Sequence, residues 1–368
     1  MKILVTGSKG FIGKNLIYKL KENNKYTLFE YLKGDDLIEL EEKLAKSDFL
    51  IHLAGENRPK NAKQFKLNNI DLTKNICNIL QKIDKKIPII FTSSIQAENN
   101  SPYGESKKKA ENILYELYER SNNPVKIYRL PGVFGKWCKP QYNSVVATFC
   151  YLITRNKEIT ISDPNKKIKL IFIDDLVQEL YNSISNTQNS FSFGSVDPMY
   201  EITLGELAKN LKQFSKSRVE LKIENVGTGF QRKLYSTYLS YLPFSNCSYK
   251  IPVHKDQRGI FVEMLKTKNA GQFSYFTSGP GITRGGHYHH TKSEKFLVIK
   301  GKARFKFYNL QNGEKEEIFT NDKEPTIVDT IPGWSHDIKN VGKEDLIVML
   351  WANEIFDKEK PDTFNHEV

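Results

Sequence analysis

The chain has 368 residues, 39% of them hydrophobic and 12% aromatic, which is enough apolar side chain for two domains with separate cores. Its formal net charge is +12, but the lysines are spread along the whole chain without a dense basic stripe, so the composition disfavours nucleic-acid binding. A basic surface also attracts anionic small molecules, such as phosphorylated cofactors and nucleotide sugars.

Neither a membrane span nor a secretion signal is indicated. No apolar run reaches the about 18 residues that a span needs, and the chain opens directly into an apolar strand, which predicts a cytoplasmic protein. The four cysteines form no Cys-x-x-Cys pair and are predicted to be free thiols. They are Cys77, Cys138, Cys150 and Cys247.

A strand, a glycine turn and a helix follow one another at the start of the chain. Residues 2–6 are apolar, glycines then recur at three-residue spacing, and a helical stripe runs from Ile12 to Leu20. Such glycines let the backbone approach a pyrophosphate, which the free N–H groups of the helix start stabilise. A dinucleotide site is therefore predicted, with a plain tight turn as the alternative. The predicted contacts are Gly7, Lys9, Gly10, Phe11, Ile12 and Gly13.

The second strand, residues 26–31, ends where such sheets bind the adenosine ribose. Glu30 can accept hydrogen bonds from a free ribose 2′-hydroxyl, which favours NAD. Lys9 or Lys33 can pair with a 2′-phosphate, which favours NADPH. We predict NADPH, with ordinary surface lysines as the alternative.

Two further apolar strands, residues 49–53 and 87–92, end in small and hydroxyl-bearing residues. Ligands of open parallel sheets lie beyond the carboxyl ends of the strands. Ser94 is a catalytic candidate because its hydroxyl can hold a substrate carbonyl oxygen, and a loop-capping role is the alternative. The cofactor contacts predicted at the earlier strand end are Leu53, Ala54 and Gly55.

A tyrosine and a lysine one helical turn apart follow Ser94. Ser101 can cap a helix that starts at Pro102, and residues 110–118 carry a buried helical stripe. Tyr103 and Lys107 then share one helix face. The Lys107 ammonium is expected to lower the pKa of the Tyr103 phenol, which makes the phenol a general acid near neutrality.

These motifs resemble those of the extended short-chain dehydrogenase/reductase family. They are Gly7-x-x-Gly10-x-x-Gly13, His52-Leu-Ala-Gly55, Thr92-Ser-Ser94 and Tyr103-x-x-x-Lys107. The resemblance implies an α/β Rossmann-like domain that transfers a hydride from NAD(P) to a nucleotide-linked sugar. It implies Tyr103 as the acid, Lys107 holding the nicotinamide ribose and Ser94 orienting the carbonyl. The span from Glu30 to Asp48 is short for a family in which many members carry an extra strand there.

The segment from Gly135 to Val146 precedes an apolar helix. In the extended family this region binds the nucleotide diphosphate, so the resemblance implies substrate contacts, although each residue is as easily explained as ordinary surface. The predicted contacts are Lys136, Lys139, Asn143 and Arg155. Asp174 and Asp175, which follow an apolar strand, are interpreted as helix caps.

Beyond a predicted helix over residues 234–242, the chain changes to short alternating stretches broken by glycine and proline. Short alternating stretches of this kind are typical of an all-β barrel or sandwich. We therefore predict a reductase domain over residues 1–243 and a β domain over residues 250–368. The strands predicted in the β domain are residues 261–265, 273–277, 295–299, 303–308, 326–330 and 346–351.

Four of the seven histidines fall in two short stretches of the β domain. On a strand, His287 and His289 face the same way and can bind one ion, to which Glu294 adds an oxygen and His336 a third nitrogen. This set suits a divalent transition metal, and ligand type does not separate Zn, Fe, Mn and Ni. The alternatives are His290 in place of His289, and histidines that are satisfied without a metal.

The same residues resemble the two-part cupin pattern. Its first part is His287-x-His289-x-x-x-x-Glu294 with Gly301, and its second is Pro332-Gly with His336 and Asn340. Residues 256–263 further resemble the opening of cupins that act on nucleotide-linked keto sugars. The resemblance implies a metal-binding cupin barrel.

A reductase fused to a metal cupin is a rare pairing, and the whole chain resembles the CapF-type family of capsular polysaccharide enzymes. Residues 134–140, 235–243 and 289–297 carry the resemblance. It implies a homodimer with Zn in the cupin and NADPH in the reductase. The cupin would epimerise C3 of a UDP-linked 2-acetamido-2,6-dideoxy-4-keto sugar, and the reductase would then reduce C4. The implied product is UDP-2-acetamido-2,6-dideoxy-L-talose, a precursor of UDP-N-acetyl-L-fucosamine.

The implied chemistry is self-consistent. A 4-keto group acidifies the proton on C3, a metal ion can stabilise the enolate, and reduction at C4 locks the new C3 configuration. Three alternatives stay open at this point. They are a monofunctional NADPH-dependent reductase with a structural or sugar-binding cupin, a non-catalytic NADPH sensor, and a nucleic-acid binder.

Overall fold

The computed structural model describes residues 1–22, 24–59, 61, 63–186, 189–252, 254–256, 259–261, 264–267, 271–354, 357 and 359–368. These residues form two compact units. The first comprises Met1–Phe134, Tyr142–Ser144 and Ile168–Glu201, and the second comprises Gly135–Gln141, Val145–Lys167 and Ile202–Val368. The domain boundary predicted between residues 243 and 250 stays a prediction.

The helices are α1 (Phe11–Lys21), α2 (Leu37–Lys46), α3 (Lys63–Phe65), α4 (Leu72–Lys82), α5 (Pro102–Ser121), α6 (Val145–Ile153), α7 (Ile173–Ser185), α8 (Leu204–Glu220) and α9 (Gly229–Ser240). A π-helical turn spans Lys66–Asp71, and 3₁₀ turns span Ile95–Glu98 and Phe244–Asn246.

The strands of the first part of the chain are β1 (Lys2–Thr6), β2 (Thr27–Tyr31), β3 (Phe49–His52), β4 (Ile89–Ser94), β5 (Val125–Leu130), β6 (Gly132–Phe134), β7 (Lys167–Phe172), β8 (Phe191–Gly194), β9 (Met199–Thr203) and β10 (Lys222–Ile223). The remaining strands are β11 (Ser248–Lys250), β12 (His254–Asp256), β13 (Gly259–Phe261), β14 (Lys266–Thr267), β15 (Gln272–Ser278), β16 (Thr283–Tyr288), β17 (Glu294–Lys300), β18 (Lys302–Asn309), β19 (Lys315–Asn321), β20 (Thr326–Asp329), β21 (Trp334–Asn340), β22 (Leu346–Ala352) and β23 (Phe364–Asn365).

The first unit is built on a six-stranded parallel sheet in the order β2-β1-β3-β4-β5-β8, which confirms the predicted Rossmann-like class. The strand order reverses at β1, which pairs with both β2 and β3. Ligands of such sheets bind beyond the carboxyl ends of the strands at this point of reversal. The short span between β2 and β3 contains α2 and no strand.

Helix α5 begins as its sequence predicts. The hydroxyl of Ser101 accepts the backbone N–H of Gly104 at 3.0 Å, and Pro102 occupies the first turn. The stripe formed by Ala110, Leu114 and Leu117 is buried in the core of the first unit. The cap and the stripe together fix which face of α5 meets the sheet.

The caps predicted for α7 are wrong in position. The helix begins at Ile173 and its N-cap is Phe172. Asp174 and Asp175 lie in the first turn, where negative charge is stabilised by the positive end of the helix dipole. Acidic residues near a helix start do not by themselves identify the capping residue.

The second unit contains two antiparallel five-stranded sheets, in the orders β11-β20-β17-β22-β15 and β19-β18-β21-β16-β23. Phe296 and Val348 of one sheet and Phe305 and Ile338 of the other belong to one buried cluster. The predicted all-β class is confirmed, and among the described residues the hydrogen bonding gives two sheets and not one closed barrel. The predicted cupin opening at 256–263 and the predicted strand at 261–265 include residues 257, 258, 262 and 263, which lie outside the described residues.

Of the helices in the described ranges, none combines the length and the apolar content that a bilayer crossing requires.

A buried charge cluster links α8 to the β-sheets of the second unit. The carboxylate of Asp329 accepts hydrogen bonds from Lys295 and from Arg218, each at 2.6 Å. Lys295 also donates to the Tyr249 hydroxyl at 3.0 Å. Burial alone would lower the pKa of Lys295, but Asp329 outweighs it and the pKa is raised. Two cations, the buried Lys295 and the partly buried Arg218, therefore depend on one carboxylate.

We predict that Asp329→Ala lowers the free energy of unfolding by about 3–5 kcal/mol, because it leaves buried cations unpaired. Urea denaturation followed by circular dichroism measures the loss. The matched control is Glu344→Ala, which removes the carboxylate of the exposed Lys300–Glu344 pair at 3.3 Å. The control is expected to change stability by less than about 1 kcal/mol. Equal effects of the two substitutions would contradict the role of Asp329.

Candidate functional site

The glycine turn after β1 leaves the start of α1 open. Gly10 is the N-cap of α1 and offers no side-chain hydrogen bond, so the first N–H groups of the helix are not capped by a side chain at that position. Gly7 has a φ of +70°, and a Cβ there would lie 2.7 Å from the backbone nitrogen of Ala54. The turn and the end of β3 are therefore in close contact, and Leu53 N–H donates to Thr6 at 3.2 Å. This arrangement fits a dinucleotide pyrophosphate.

Ser94 and Tyr103 meet at the carboxyl end of β4. Their side chains are hydrogen-bonded to each other. The Ser94 hydroxyl also accepts a hydrogen bond from the backbone N–H of Gln96 at 3.1 Å. Ser94 therefore caps the loop and also lies beside Tyr103. Capping fixes the hydroxyl of Ser94 beside the phenol. The structure therefore brings these two predicted catalytic residues together.

Lys107 lies one turn beyond Tyr103 on α5 and is buried. Its ammonium donates to the Thr92 carbonyl at 2.9 Å and lies 4.9 Å from the centre of the Phe91 ring. Burial lowers the pKa of Lys107 to about 8. Gly55 leaves room for this ammonium, because a Cβ at Gly55 would lie 3.0 Å from Lys107 Nζ. The residues that follow β3 and the lysine are thus in close contact.

The predicted pKa of Tyr103 is wrong in direction. Burial raises the pKa of Tyr103, and the hydrogen bond from Ser94 only partly opposes this effect. Spacing on the helix places Lys107 one turn from Tyr103, but it does not include the loss of hydration around the phenol. Tyr103 is consequently held in its protonated form, which is the form that a general acid needs.

Asn69 is a buried residue of this site that the sequence analysis missed. Its amide donates to the Glu56 carbonyl at 3.0 Å and to the Ser106 hydroxyl at 2.8 Å, and its side-chain oxygen accepts the Glu56 N–H at 2.7 Å. The residue lies in the π-helical turn Lys66–Asp71, an element that often marks functional positions. No periodicity in the sequence indicates such a turn.

The residues that were expected to select the cofactor contact each other. Lys9 Nζ lies 3.7 Å from Glu30 Oε2 in a partly exposed ion pair. Lys33 is exposed. Glu30, which favours NAD, is thus paired with Lys9, which favours NADPH. The ion pair is compatible with either cofactor.

The predicted substrate contacts differ in their surroundings. Lys136 is buried with its ammonium 5.4 Å from the centre of the Trp137 ring, and Lys139 is exposed. Arg155 donates to the Tyr241 carbonyl at 2.9 Å and stacks on the Tyr151 ring, contacts that explain it without a ligand. Asn143, in the first unit, is exposed. Substrate binding by these four residues stays a prediction.

Four predicted ligands gather in the second unit. The candidate ligand atoms of His287, His289, Glu294 and His336 all lie within 4.8 Å of one another. His287 on β16 is opposite His336 on β21 in one sheet, and Glu294 begins β17 in the other. His289 follows the end of β16. Pairing of β16 with β21, as well as strand alternation, therefore brings the imidazoles together.

His289 turns into this cluster and His290 does not. The His289 ring lies 5.0 Å from that of His287 and 5.2 Å from that of His336. The His290 ring instead packs on Phe364 at 4.9 Å and on Tyr288 at 5.5 Å. The geometry thus separates two neighbouring histidines that the sequence left as alternatives.

The electrostatics of the cluster suit a cation. Nδ1 of His289 lies 2.5 Å from the carbonyl oxygen of Asp362, which only accepts, so Nδ1 carries the proton. Nε2 then faces Glu294 Oε2 at 3.1 Å, and without a proton of its own it is an acceptor like that oxygen. Two acceptors at this distance repel unless a proton or a metal ion lies between them. The donor set therefore fits a divalent metal.

The remaining ligands are held in the states that bind metals. Burial lowers the pKa of His287 to about 3, and it also lowers the pKa of His336. Burial alone would raise the pKa of Glu294, but the imidazoles and Lys292 outweigh it and hold the pKa well below its usual range. Lys292 Nζ lies 2.8 Å from Glu294 Oε1. Neutral imidazoles and an ionised carboxylate are what metal coordination requires.

Comparison with known proteins supports a two-part chain. Residues 3–193 match the model of the NAD dependent epimerase/dehydratase family, and residues 254–364 match the polysaccharide biosynthesis C-terminal domain. The first match covers the glycine turn and the Ser94, Tyr103 and Lys107 cluster. The second covers all four residues of the His/Glu cluster.

Relatives match the chain from end to end. It is 50% identical over 364 residues to UDP-2-acetamido-2,6-beta-L-arabino-hexul-4-ose reductase of Pseudomonas aeruginosa, covering 99% of this chain and 98% of that protein. It is 43% identical to the crystal structure of the capsular polysaccharide assembling protein CapF from Staphylococcus aureus, with a TM-score of 0.68 and complete coverage of both chains.

A more distant structure shares the fold of the first part alone. UDP-glucuronic acid 4-epimerase from Bacillus cereus, solved in complex with NAD, is 20% identical with a TM-score of 0.53. The match covers 58% of this chain and 84% of the epimerase. On the full-length similarities, the chain belongs to the CapF-type family of capsular polysaccharide enzymes.

Proposed function

We propose that the chain is a bifunctional nucleotide-sugar enzyme. Its cupin epimerises C3 of a UDP-linked 2-acetamido-2,6-dideoxy-4-keto sugar, and its reductase domain reduces C4 with NADPH. The product is UDP-2-acetamido-2,6-dideoxy-L-talose, a precursor of UDP-N-acetyl-L-fucosamine for capsule or O-antigen. The observation that carries the proposal is the presence, in one chain, of a Ser94–Tyr103 hydrogen bond one helical turn from the buried Lys107 and of a largely buried three-histidine, one-glutamate cluster.

The reductase step uses groups that are already oriented. A nicotinamide cofactor supplies the hydride when it is bound. Ser94 holds the C4 carbonyl oxygen, and Tyr103, protonated because burial raises its pKa, donates a proton to that oxygen as the alcohol forms. The Lys107 ammonium, beside Gly55, would hold the cofactor ribose and stabilise the phenolate that forms as the proton leaves.

The epimerase step requires removal of the C3 proton and its return to the opposite face. A divalent metal supplies Lewis-acid stabilisation of the negative charge that develops on the C4 oxygen. His287, His289, Glu294 and His336 hold the ion. Lys292 neutralises part of the Glu294 charge through its contact at 2.8 Å, so the cluster as a whole keeps a net positive charge when a divalent ion is bound.

Several finer assignments belong to the same proposal. We assign Zn²⁺ to the cupin, NADPH to the reductase, a cytoplasmic location and a homodimeric state. The donor set of the His/Glu cluster supports a divalent metal, and the other three assignments rest on the family resemblance. The product assignment and the order of the two steps rest on the family resemblance.

We predict that the enzyme incorporates deuterium at C3 of the UDP-linked 4-keto sugar in deuterated water without NADPH. Mass spectrometry of the recovered sugar measures the incorporation. Tyr103→Phe should abolish NADPH oxidation, by at least about 100-fold, because the acid is lost, while deuterium still enters at C3. Tyr115→Phe, on the exposed side of α5, is the matched control and should retain both activities.

Two results would contradict the proposal, each in a different way. Absence of C3 exchange in the unsubstituted enzyme would reduce the function to a monofunctional NADPH-dependent reductase with a structural or sugar-binding cupin. Loss of both activities in Tyr103→Phe would show that the two steps do not use separable sites.

We further predict that metal removal separates the two activities. Dialysis against a chelator should abolish C3 exchange, and added Zn²⁺ should restore it, whereas NADPH affinity should change by less than about twofold. His289→Gln should imitate the chelated enzyme because it removes one ligand and the cluster binds metal less tightly. His290→Gln is the neighbouring control, since its ring packs on Phe364. Retention of C3 exchange without metal would exclude metal-assisted epimerisation.

NADPH affinity is expected to fall at alkaline pH. The pKa of Lys107 is about 8, so its ammonium is present below pH 8 and is lost as the pH rises above it. Binding should therefore weaken by about fivefold between pH 8 and pH 9, as measured by fluorescence titration of the free enzyme. Lys107→Arg should remove the dependence because arginine stays charged. Lys108→Arg is the exposed neighbouring control, and an unchanged pH profile in Lys107→Arg would contradict the assignment.

A further inference from the structure

The C-terminal segment holds the loop that carries His289. The two carboxylate oxygens of Asp362 accept the backbone N–H groups of His290 at 2.9 Å, Thr291 at 2.7 Å and Lys292 at 2.7 Å. The Thr291 hydroxyl donates to the same carboxylate at 2.8 Å. One side chain therefore satisfies four donors of a single turn.

The backbone of Asp362 also contacts a metal ligand. Its carbonyl oxygen lies 2.5 Å from Nδ1 of His289, which fixes the tautomer and points Nε2 at Glu294. Just beyond Asp362, strand β23 pairs with β16 and places Asn365 opposite His287. The position of Asp362 is thus set from both sides, by the loop that it holds and by the strand that follows it.

Helix α9 reaches the same loop through Arg232. Its Nε donates to the Thr291 hydroxyl at 2.9 Å, and its Nη2 lies 2.5 Å from Glu354 and 3.6 Å from Asp362. Arg232 precedes residues 254–364, which match the C-terminal domain family. An element outside the cupin match therefore contacts the loop between two metal ligands, His289 and Glu294.

We propose that Asp362, Thr291 and Arg232 are positioning residues for the metal centre, and that they couple metal binding to the order of helix α9. They do not ligate the ion. They hold the loop that follows His289, so that the imidazole approaches the other three ligands without rearrangement. This inference rests on the proposed metal centre, and it names the residues that set the affinity of that centre.

Thr291 offers the sharpest test, because its hydroxyl both donates to Asp362 and accepts from Arg232. Thr291→Val keeps the shape of the side chain and removes both bonds, whereas Thr291→Ser keeps both. Zn²⁺ affinity is measured on the full-length protein by competition with a chromophoric chelator. We expect Thr291→Val to weaken Zn²⁺ binding about 10-fold or more and Thr291→Ser by less than about twofold.

Hydrogen–deuterium exchange tests the coupling to α9. Zn²⁺ should slow exchange in the peptide covering Gly229–Ser240 in the unsubstituted protein and in Thr291→Ser, but not in Thr291→Val. Helix α4 (Leu72–Lys82), in the first unit, is the internal control and should not respond. Asp362→Ala should weaken binding at least as much as Thr291→Val. Asp357→Ala, which removes one exposed hydrogen bond of the same segment, should leave affinity unchanged.

The outcomes separate this inference from the proposed function. If the unsubstituted protein binds no Zn²⁺, the proposed metal centre is contradicted, and the positioning role of these residues is contradicted as well. If it binds Zn²⁺ and Thr291→Val binds equally well, the positioning role is overturned while the proposed function stands. Should Asp362→Ala fail to fold, the comparison of the valine and serine variants decides the question alone.

Discussion

The cost of burying charged groups constrains both sites of this chain. In the first unit the Lys107 ammonium sits beneath Gly55 with a carbonyl oxygen and an aromatic ring as neighbours, and its pKa falls accordingly. In the second unit the Glu294 carboxylate is enclosed by imidazoles and one lysine. Each charge has lost most of its hydration, so an oppositely charged ligand at either place recovers free energy that water no longer supplies.

Local signals in the sequence predict the elements that carry the reductase residues. The Ser101 cap and the Pro102 start depend only on neighbouring residues, so α5 begins where the sequence indicates. The direction of the Tyr103 pKa could not be predicted, because desolvation depends on side chains packed around the phenol after folding. The sequence also did not identify Asn69 as a site residue, because a π-helical turn has no periodic pattern of apolar residues.

In the His/Glu cluster, too, the sequence shows what depends on neighbouring residues and not what depends on distant ones. The short spacing of His287, His289 and Glu294 is visible in the sequence, and the structure brings these residues together with His336. The support from Asp362 is not visible, because the aspartate follows the loop that it holds by about 70 residues and no motif links the two. Spacing predicts candidate ligands, whereas the groups that orient them depend on tertiary pairing.

The charge cluster around Asp329 has a consequence for how such a chain could arise from separate genes. Asp329 and Lys295 lie within the segment that matches the C-terminal family, but Arg218 lies upstream on α8. The parallel pairing of β10 with β14 also crosses residue 250. A recombination event at that residue would join a cupin to a reductase without these contacts. The parts of the chain on either side of residue 250 are therefore not independent modules, because the Arg218–Asp329 pair and the β10–β14 pairing join them.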